Sequence, residues 1–324
     1  MAMASGPWME CCRAIAATPG RVLRPWPKNG RLLGALRQRV RERPAPPAAR
    51  TVRLTALPQG RAAVPTVVLA EGIWGLPLRT PIGMGGFLVE HPRARFLVDP
   101  ALCADVHRRV LPELPQPLRS LVAPEKPVRG LGEALREQGV DAADIDFALP
   151  THLHWDHVSG LLDLPDGLPV RVRAVERAFA LDGGPEAPLG FARLPLRGRE
   201  LAEYELDGPP VLSFERSLDL FGDGSAVLVE LAGHTPGSVG LLLALDGGRR
   251  VLLAGDAVWH RAQIAHVRQL APMPGALVNA DPPEAFTTLH RLAALPPEIQ
   301  VVPAHDPDAA ARFAAVPRPA GKAG

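Results

Sequence analysis

Apolar positions along this chain come in short bursts separated by turn residues, the pattern of brief strands with helices between them. Residues 52–57 and 66–70 read as strands. Residues 83–90 and 95–100 flank a turn at 91–94 and predict a hairpin. Residues 131–138 read as a short helix closed by Gly139, which feeds the apolar run 145–150. A helix over 158–164 and a strand over 170–175 follow. Downstream, 226–231, 239–245 and 251–253 are strand-like, with Gly247 and Gly248 in a tight turn. Residues 283–295 carry Phe286, Leu289, Leu292 and Ala293 at helical spacing, a stripe of core type. The Pro-rich stretch 111–128 predicts an irregular loop, and 185–210 selects no element. This mixture belongs to the α+β class, with two sheets packed face to face and helices outside.

Composition narrows the class without naming a chemistry. In 324 residues, 47% are apolar and 22% charged, as in an ordinary globular chain. The 37 prolines and 31 glycines favour many short elements over a helical bundle. Charge is uneven. Residues 1–50 hold ten Lys and Arg against Glu10 and Glu42, a net of +8, so the whole-chain value of +2 leaves the remainder at −6. The expected organisation is a basic, Pro-rich arm over 1–50, partly disordered, with one short basic helix over 31–40. A catalytic body over 51–317 and a frayed tail over 318–324 follow. An acidic body argues against nucleic acid as substrate. Cys11, Cys12 and Cys103 have neither a paired framework nor metal-type spacing, and read as free thiols in a reducing compartment. No apolar run is long enough for a membrane span. Glu10, Arg13 and Pro19 interrupt any secretory pattern, so the cytoplasm is the expected location.

The chemistry concentrates in Thr151-His152-Leu153-His154-Trp155-Asp156-His157, directly after the apolar run. In an extended segment alternate side chains share a face, so His152, His154 and Asp156 can converge on one point. The turn that follows can carry His157 towards a second. As a purely structural feature the cluster would leave four polar groups wanting partners, at roughly 1–3 kcal/mol each. Three more segments place a His or Asp just past an apolar strand: Gly233-His234-Thr235, Gly255-Asp256-Ala257 and Ala304-His305-Asp306. His91, His107 and His290 have no such context and read as structural or solvated.

With these segments in this order, the sequence resembles the metallo-β-lactamase superfamily over residues 84–306. The resemblance implies a four-layer αββα sandwich with metals at one edge. It implies that His152, His154 and His234 hold a first metal, that Asp156, His157 and His305 hold a second, and that Asp256 bridges both. Seven N and O ligands suit two divalent ions, Zn²⁺ foremost, with Mn²⁺, Fe²⁺ or Co²⁺ also accepted. Asp156 and Asp256 are the expected catalytic carboxylates. At Asp99-Pro100-Ala101 the chain departs from the Asp-Thr-Gly-like turn of the family, and Asp99 reads equally as a hydrogen-bond acceptor beneath the metals or as a turn cap.

The bridging aspartate shifts the implied substrate from β-lactams to small esters, with lactones and carboxylic esters first. The layout is most similar to acyl-homoserine lactonases and methyl-parathion-hydrolase-like members. Many lactonases place a tyrosine three residues after the bridging Asp; here Trp259 stands there and offers no phenol. Trp259 either walls an acyl group or packs. His260 and His266 fall in a segment expected to line the pocket mouth, although surface or core positions are the commoner fate of such histidines. Alternatives are a phosphotriesterase or thioesterase of the same fold, a mononuclear iron persulfide dioxygenase, and a non-catalytic binding module. The expected partner is a small-molecule substrate, and a homodimer is left open.

Overall fold

The structure is a computed structural model describing residues 7–74, 77–116, 118–182 and 189–314. The tail expected over 318–324 lies outside the described residues.

Two sheets carry the fold. The first has six strands in the order β1 to β6: Arg53–Pro65, Arg79–His91, Ala94–Val98, Phe147–Leu149, Val170–Arg173 and Leu201–Tyr204. β1, β2 and β3 are antiparallel neighbours, and β3 to β6 run parallel. The second sheet has five strands, β7 to β11: Ser217–Asp219, Ala226–Glu230, Val239–Ala244, Arg250–Leu253 and Ile299–Val302, with β10 and β11 parallel. Strict alternation sorts their side chains between two faces. Phe87, Val89, Phe96, Val98 and Leu149 face Leu228, Leu241, Leu243, Val251 and Leu253 across the inter-sheet core.

The opposite faces take the helices. In chain order these are α1 Pro7–Leu23, α2 Gly30–Glu42, α3 Thr66–Leu69, α4 Val106–Arg109, α5 Leu118–Val122, α6 Leu131–Glu137, α7 Trp155–Val158, α8 Ala174–Leu181, α9 Arg261–His266, α10 Pro272–Val278, α11 Pro282–Ala293 and α12 Pro307–Ala311. Leu88, Leu97 and Ala148 of the first sheet pack on Leu131 and Leu135 of α6 and Ala180 of α8. Val227, Val229, Leu242 and Leu252 of the second pack on Phe286, Leu289 and Leu292 of α11. The result is the expected αββα sandwich.

Several local expectations change. Residues 66–70 are helical, because β1 already runs to Pro65 and the chain turns there. The strand expected over 170–175 stops at Arg173, where α8 begins. The helix expected over 158–164 is a 3₁₀ segment, Ser159–Asp163, continuing from α7. In the unassigned stretch, Leu201–Tyr204 forms the edge strand β6.

In the segment expected as an arm, the described residues form α1 and α2, which pack on the body. Cys11 and Ala14 of α1 pack with Leu277 of α10, and Leu33 and Leu36 of α2 pack with Ala294 behind α11. Between the helices, buried Glu71 accepts hydrogen bonds from the Trp26 amide at 2.9 Å and the Arg21 guanidinium at 3.2 Å. The basic helix expected over 31–40 is α2, capped by the Asn29 side chain on the Leu32 amide. His290 explains its own burial: Nδ1 lies 2.7 Å from the Phe286 carbonyl and Nε2 accepts the Asn29 amide at 3.0 Å.

Candidate metal centre

All seven predicted ligands stand just beyond the C-terminal ends of strands, at one edge of the sandwich. His152, His154, Asp156 and His157 follow β4, His234 follows β8, Asp256 follows β10 and His305 follows β11. The nitrogens of the first group converge closely. His152 Nε2 lies 3.0 Å from His154 Nδ1, and His234 Nε2 lies 3.1 Å and 2.9 Å from these two atoms. A second group forms beside it. Asp156 Oδ2 lies 3.8 Å from His157 Nε2 and 3.5 Å from His305 Nε2. Asp256 stands between them. Its Oδ2 is 3.4 Å from His234 Nε2, while its Oδ1 is 3.2 Å from His157 Nε2 and 3.1 Å from His305 Nε2. The residues that the resemblance assigns to each ion are therefore the ones the fold brings together.

The donor set fits divalent cations. Among the described residues, Asp256 Oδ1 and His157 Nε2 are buried without a hydrogen-bond partner, yet they face each other and the other ligands. Such groups pay several kcal/mol (roughly 1–3 each) unless a cation satisfies them. No thiol joins the cluster, which places it with metals that accept nitrogen and oxygen.

Electrostatics divides the site in two. Burial pushes His152 and His154 well below the usual imidazole range, and surrounding imidazoles push the same way. Burial lowers His234 too, against the pull of Asp256. The environment of these three rings favours the neutral imidazole. At His157 and His305 burial also works downward, but carboxylates outweigh it: Asp99, Asp256 and Asp156 hold His157 well up, and Asp256 and Asp156 raise His305. Burial works upward on Asp256, and the imidazoles of His305 and His157 more than reverse it.

Four of the five rings have a polar group behind them, as metal-binding histidines commonly do. His234 Nδ1 is 2.9 Å from Asn279 Oδ1, and His305 Nδ1 is 2.8 Å from the Gly83 carbonyl. Thr151 Oγ1 lies 3.2 Å from His152 Nδ1. Asp99 is the acceptor beneath the site: its oxygens take the Thr151 amide at 2.6 Å and hydroxyl at 3.0 Å, and Oδ2 lies 3.1 Å from His157 Nδ1. Gly255 makes the approach of Asp256 possible, since it sits at φ 50° and a Cβ there would fall 2.5 Å from Thr151 Oγ1.

Sequence reasoning missed Glu176. This carboxylate of α8 is buried and braces two ligand loops, accepting the Leu153 amide at 2.9 Å through Oε1 and the Gly237 amide at 3.1 Å through Oε2. Gly237 permits the contact, because a Cβ there would meet the Glu176 Cβ at 2.3 Å. A single Glu in an apolar helix carries no signal of this role; only the tight Gly237 hints that something approaches.

The three residues considered for the pocket lining take different places. Trp259 is buried, its ring 5.0 Å from that of His305 and packed with Leu69, Ile82 and Leu270. His260 caps α9, with Nδ1 accepting the Ala262 amide at 3.1 Å and Nε2 lying 3.6 Å from buried Asp306. His266 is exposed in the last turn of α9. Phe191 packs tilted against the His154 ring, centroids 4.6 Å apart, a neighbour that sequence did not single out.

With this geometry in place, the sequence profile described as the metallo-beta-lactamase superfamily matches residues 86–305. The chain belongs to that superfamily. It is 28% identical over 193 residues to the N-acyl homoserine lactonase AttM of Rhizobium radiobacter, covering 58% of this chain and 68% of that one. It is 28% identical over 242 residues to AttM of Azorhizobium caulinodans, covering 71% and 84%. A probable metallo-hydrolase of Mycobacterium tuberculosis is 31% identical over 194 residues, covering 54% and 59%. In fold it is similar to the crystal structure of a quorum-quenching N-acyl homoserine lactone hydrolase, with TM-score 0.60 at 18% identity, covering 80% of this chain and 94% of that one. The dizinc lactonase AidC is similar at TM-score 0.55 and 15% identity, covering 79% and 88%. This superfamily member is an enzyme of the metal-dependent hydrolase type.

Proposed function

We propose that the protein is a dinuclear metal-dependent hydrolase of small esters, lactones first among them. The observation that carries this is Asp256, whose two oxygens face different groups of ligands, Oδ2 towards His234 and Oδ1 towards His157 and His305. A carboxylate so placed suits a bridge between two ions, Zn²⁺ being favoured by the His-rich N/O set. Two such ions would lower the pKa of a shared water towards neutrality and polarise a carbonyl. The chain's own residues set the rest. His152, His154 and His234, held neutral, bind without losing a proton. Asp99, Asn279 and the Gly83 carbonyl keep the rings from turning. The Asp156 side chain, at 12% exposure, is more open than those of His157, His234, Asp256 and His305, and is the carboxylate placed to pass a proton to the leaving alkoxide. The lactonase names of the relatives support the substrate class.

The test pairs metal analysis with a panel of lactones, aryl esters and phosphotriesters. Two equivalents of metal and lactone turnover are expected, with Asp256→Ala losing at least one equivalent and most activity. Two equivalents and near-normal turnover in that variant would remove the bridge. One iron per chain in the unaltered protein would move the reading to an oxygenase.

A further inference from the structure

One exposed flank of α1 is apolar along its whole length. At 100° per residue, Trp8, Met9, Cys12, Ile15, Pro19 and Leu23 fall within an arc of roughly 120°, all of them exposed, Trp8 by 64% and Leu23 by 72%. The adjoining face, Cys11, Ala14, Thr18 and Val22, is the one that docks on the body, with Thr18 Oγ1 accepting the Met273 amide at 2.9 Å. Gly72 lies against Pro25 and Val22 at the end of α1, and just beyond it Trp74 and Leu78 are exposed as well. An apolar stripe of this length exceeds what scattered surface residues leave on a water-facing helix.

We propose that this face docks on an anionic lipid surface, with α1 lying in the plane of the interface. Charge selects that occupant. Arg13, Arg24 and Lys28 are exposed beside the stripe, and no carboxylate among the described residues pairs with them. Residues 1–50 carry +8 while the remainder carries −6, so the segment that bears the stripe is the basic part of the chain and an anionic surface attracts it. A second copy applied to the same face would set the two basic segments against each other. No helix among the described residues is long and apolar enough to cross a membrane, so the attachment is interfacial. Docking would also orient the metal edge. The inner face of α1 packs on α10, and Asn279, next after α10, holds His234. The docking itself stands whatever the substrate.

Cys12 provides the assay, because it is exposed within the stripe while Cys11 and Cys103 are buried. The metal-loaded protein, labelled at Cys12 with an environment-sensitive fluorophore, is mixed with vesicles of phosphatidylcholine alone or with phosphatidylglycerol added. Unlabelled protein is sedimented with the same vesicles. Binding at least tenfold tighter to the anionic vesicles is expected, weakened severalfold by 0.5 M salt. Trp8→Ser combined with Leu23→Ser should abolish it while turnover of a short soluble ester persists. Equal binding to both vesicle types, or none to either, overturns the proposal. So does light scattering that finds a dimer dissociated by the same double substitution, which would assign the face to a second copy.

Discussion

Replacing Glu176 tests whether the site is positioned by groups that touch no metal. Its carboxylate accepts amides from both ligand loops, at 2.9 Å from Leu153 and 3.1 Å from Gly237. Burial pushes this carboxyl up, and the Thr235 hydroxyl and the two amides pull it part of the way back. Charge-assisted bonds of this kind contribute about 1.5–3 kcal/mol each. Glu176→Gln keeps one acceptor and turns an NH₂ towards an amide donor, so it forfeits one bond, about 2 kcal/mol. Glu176→Ala leaves both amides unsatisfied, roughly 3–6 kcal/mol. For a chain of this size about 2 kcal/mol corresponds to a few degrees of Tm. The distinguishing quantity is metal affinity, because the amides belong to the loops that carry His154 and His234. Support groups of this sort typically change affinity by about 10–100-fold. Competition with a chelating dye measures it on folded protein. A Gln variant with lowered Tm and unchanged affinity at both sites would reduce Glu176 to a packing residue.

Two further outcomes follow from the same contacts. Trp259→Ala removes a buried indole from against His305, so it should destabilise by roughly 3–5 kcal/mol and lower turnover of short- and long-chain lactones equally; a selective loss on long chains would instead make Trp259 an acyl wall. Arg21→Met leaves buried Glu71 with the Trp26 amide and the more distant charge of Arg268. Burial already raises the Glu71 carboxyl despite Arg21. A raised folded pKa means the native state holds its proton longer than the unfolded chain, so stability is lost as pH rises through the folded pKa. The variant should therefore lose more Tm at pH 8 than at pH 5, and equal losses would show Glu71 neutral throughout.

What could be read from sequence follows from how each feature is encoded. The His and Asp cluster was legible because its members stand at strand ends, where a preceding hydrophobic run makes them conspicuous. The sheets were legible because Phe87-Leu88-Val89 and Leu241-Leu242-Leu243 are apolar on both faces, as strands covered by another layer on each side must be. Residues 66–70 misled because Val67, Val68 and Leu69 favour a strand, whereas the preceding strand's length and the turn at Pro65 decide the matter. His260 and His266 lay in the right segment, but a helix start claimed one and solvent the other. Asp99 held two readings open; its φ of 50° and its bonds to Thr151 belong to the acceptor beneath the site.

The arm shows why composition is a poor guide to packing. Its arginines suggested a solvated extension, yet Cys11, Ala14 and Val22, and Leu33 and Leu36, recur at spacings of three and eight and each set occupies one helix face. Those faces lie behind the elements that frame His234. α1 rests on α10, whose next residue, Asn279, orients the His234 ring, while the Ala280 amide donates to the His234 carbonyl at 2.9 Å. α2 rests behind α11, whose Thr288 hydroxyl donates to the Ala232 carbonyl at 2.7 Å, two residues before the ligand. Removing residues 1–45 would therefore strip the support from one half of the metal centre and leave Glu71 buried without Arg21 or the Trp26 amide. The truncated chain should fold poorly and bind metal weakly at the His152, His154 and His234 group first. Retention of that affinity in a soluble truncated protein would show that the body holds His234 unaided.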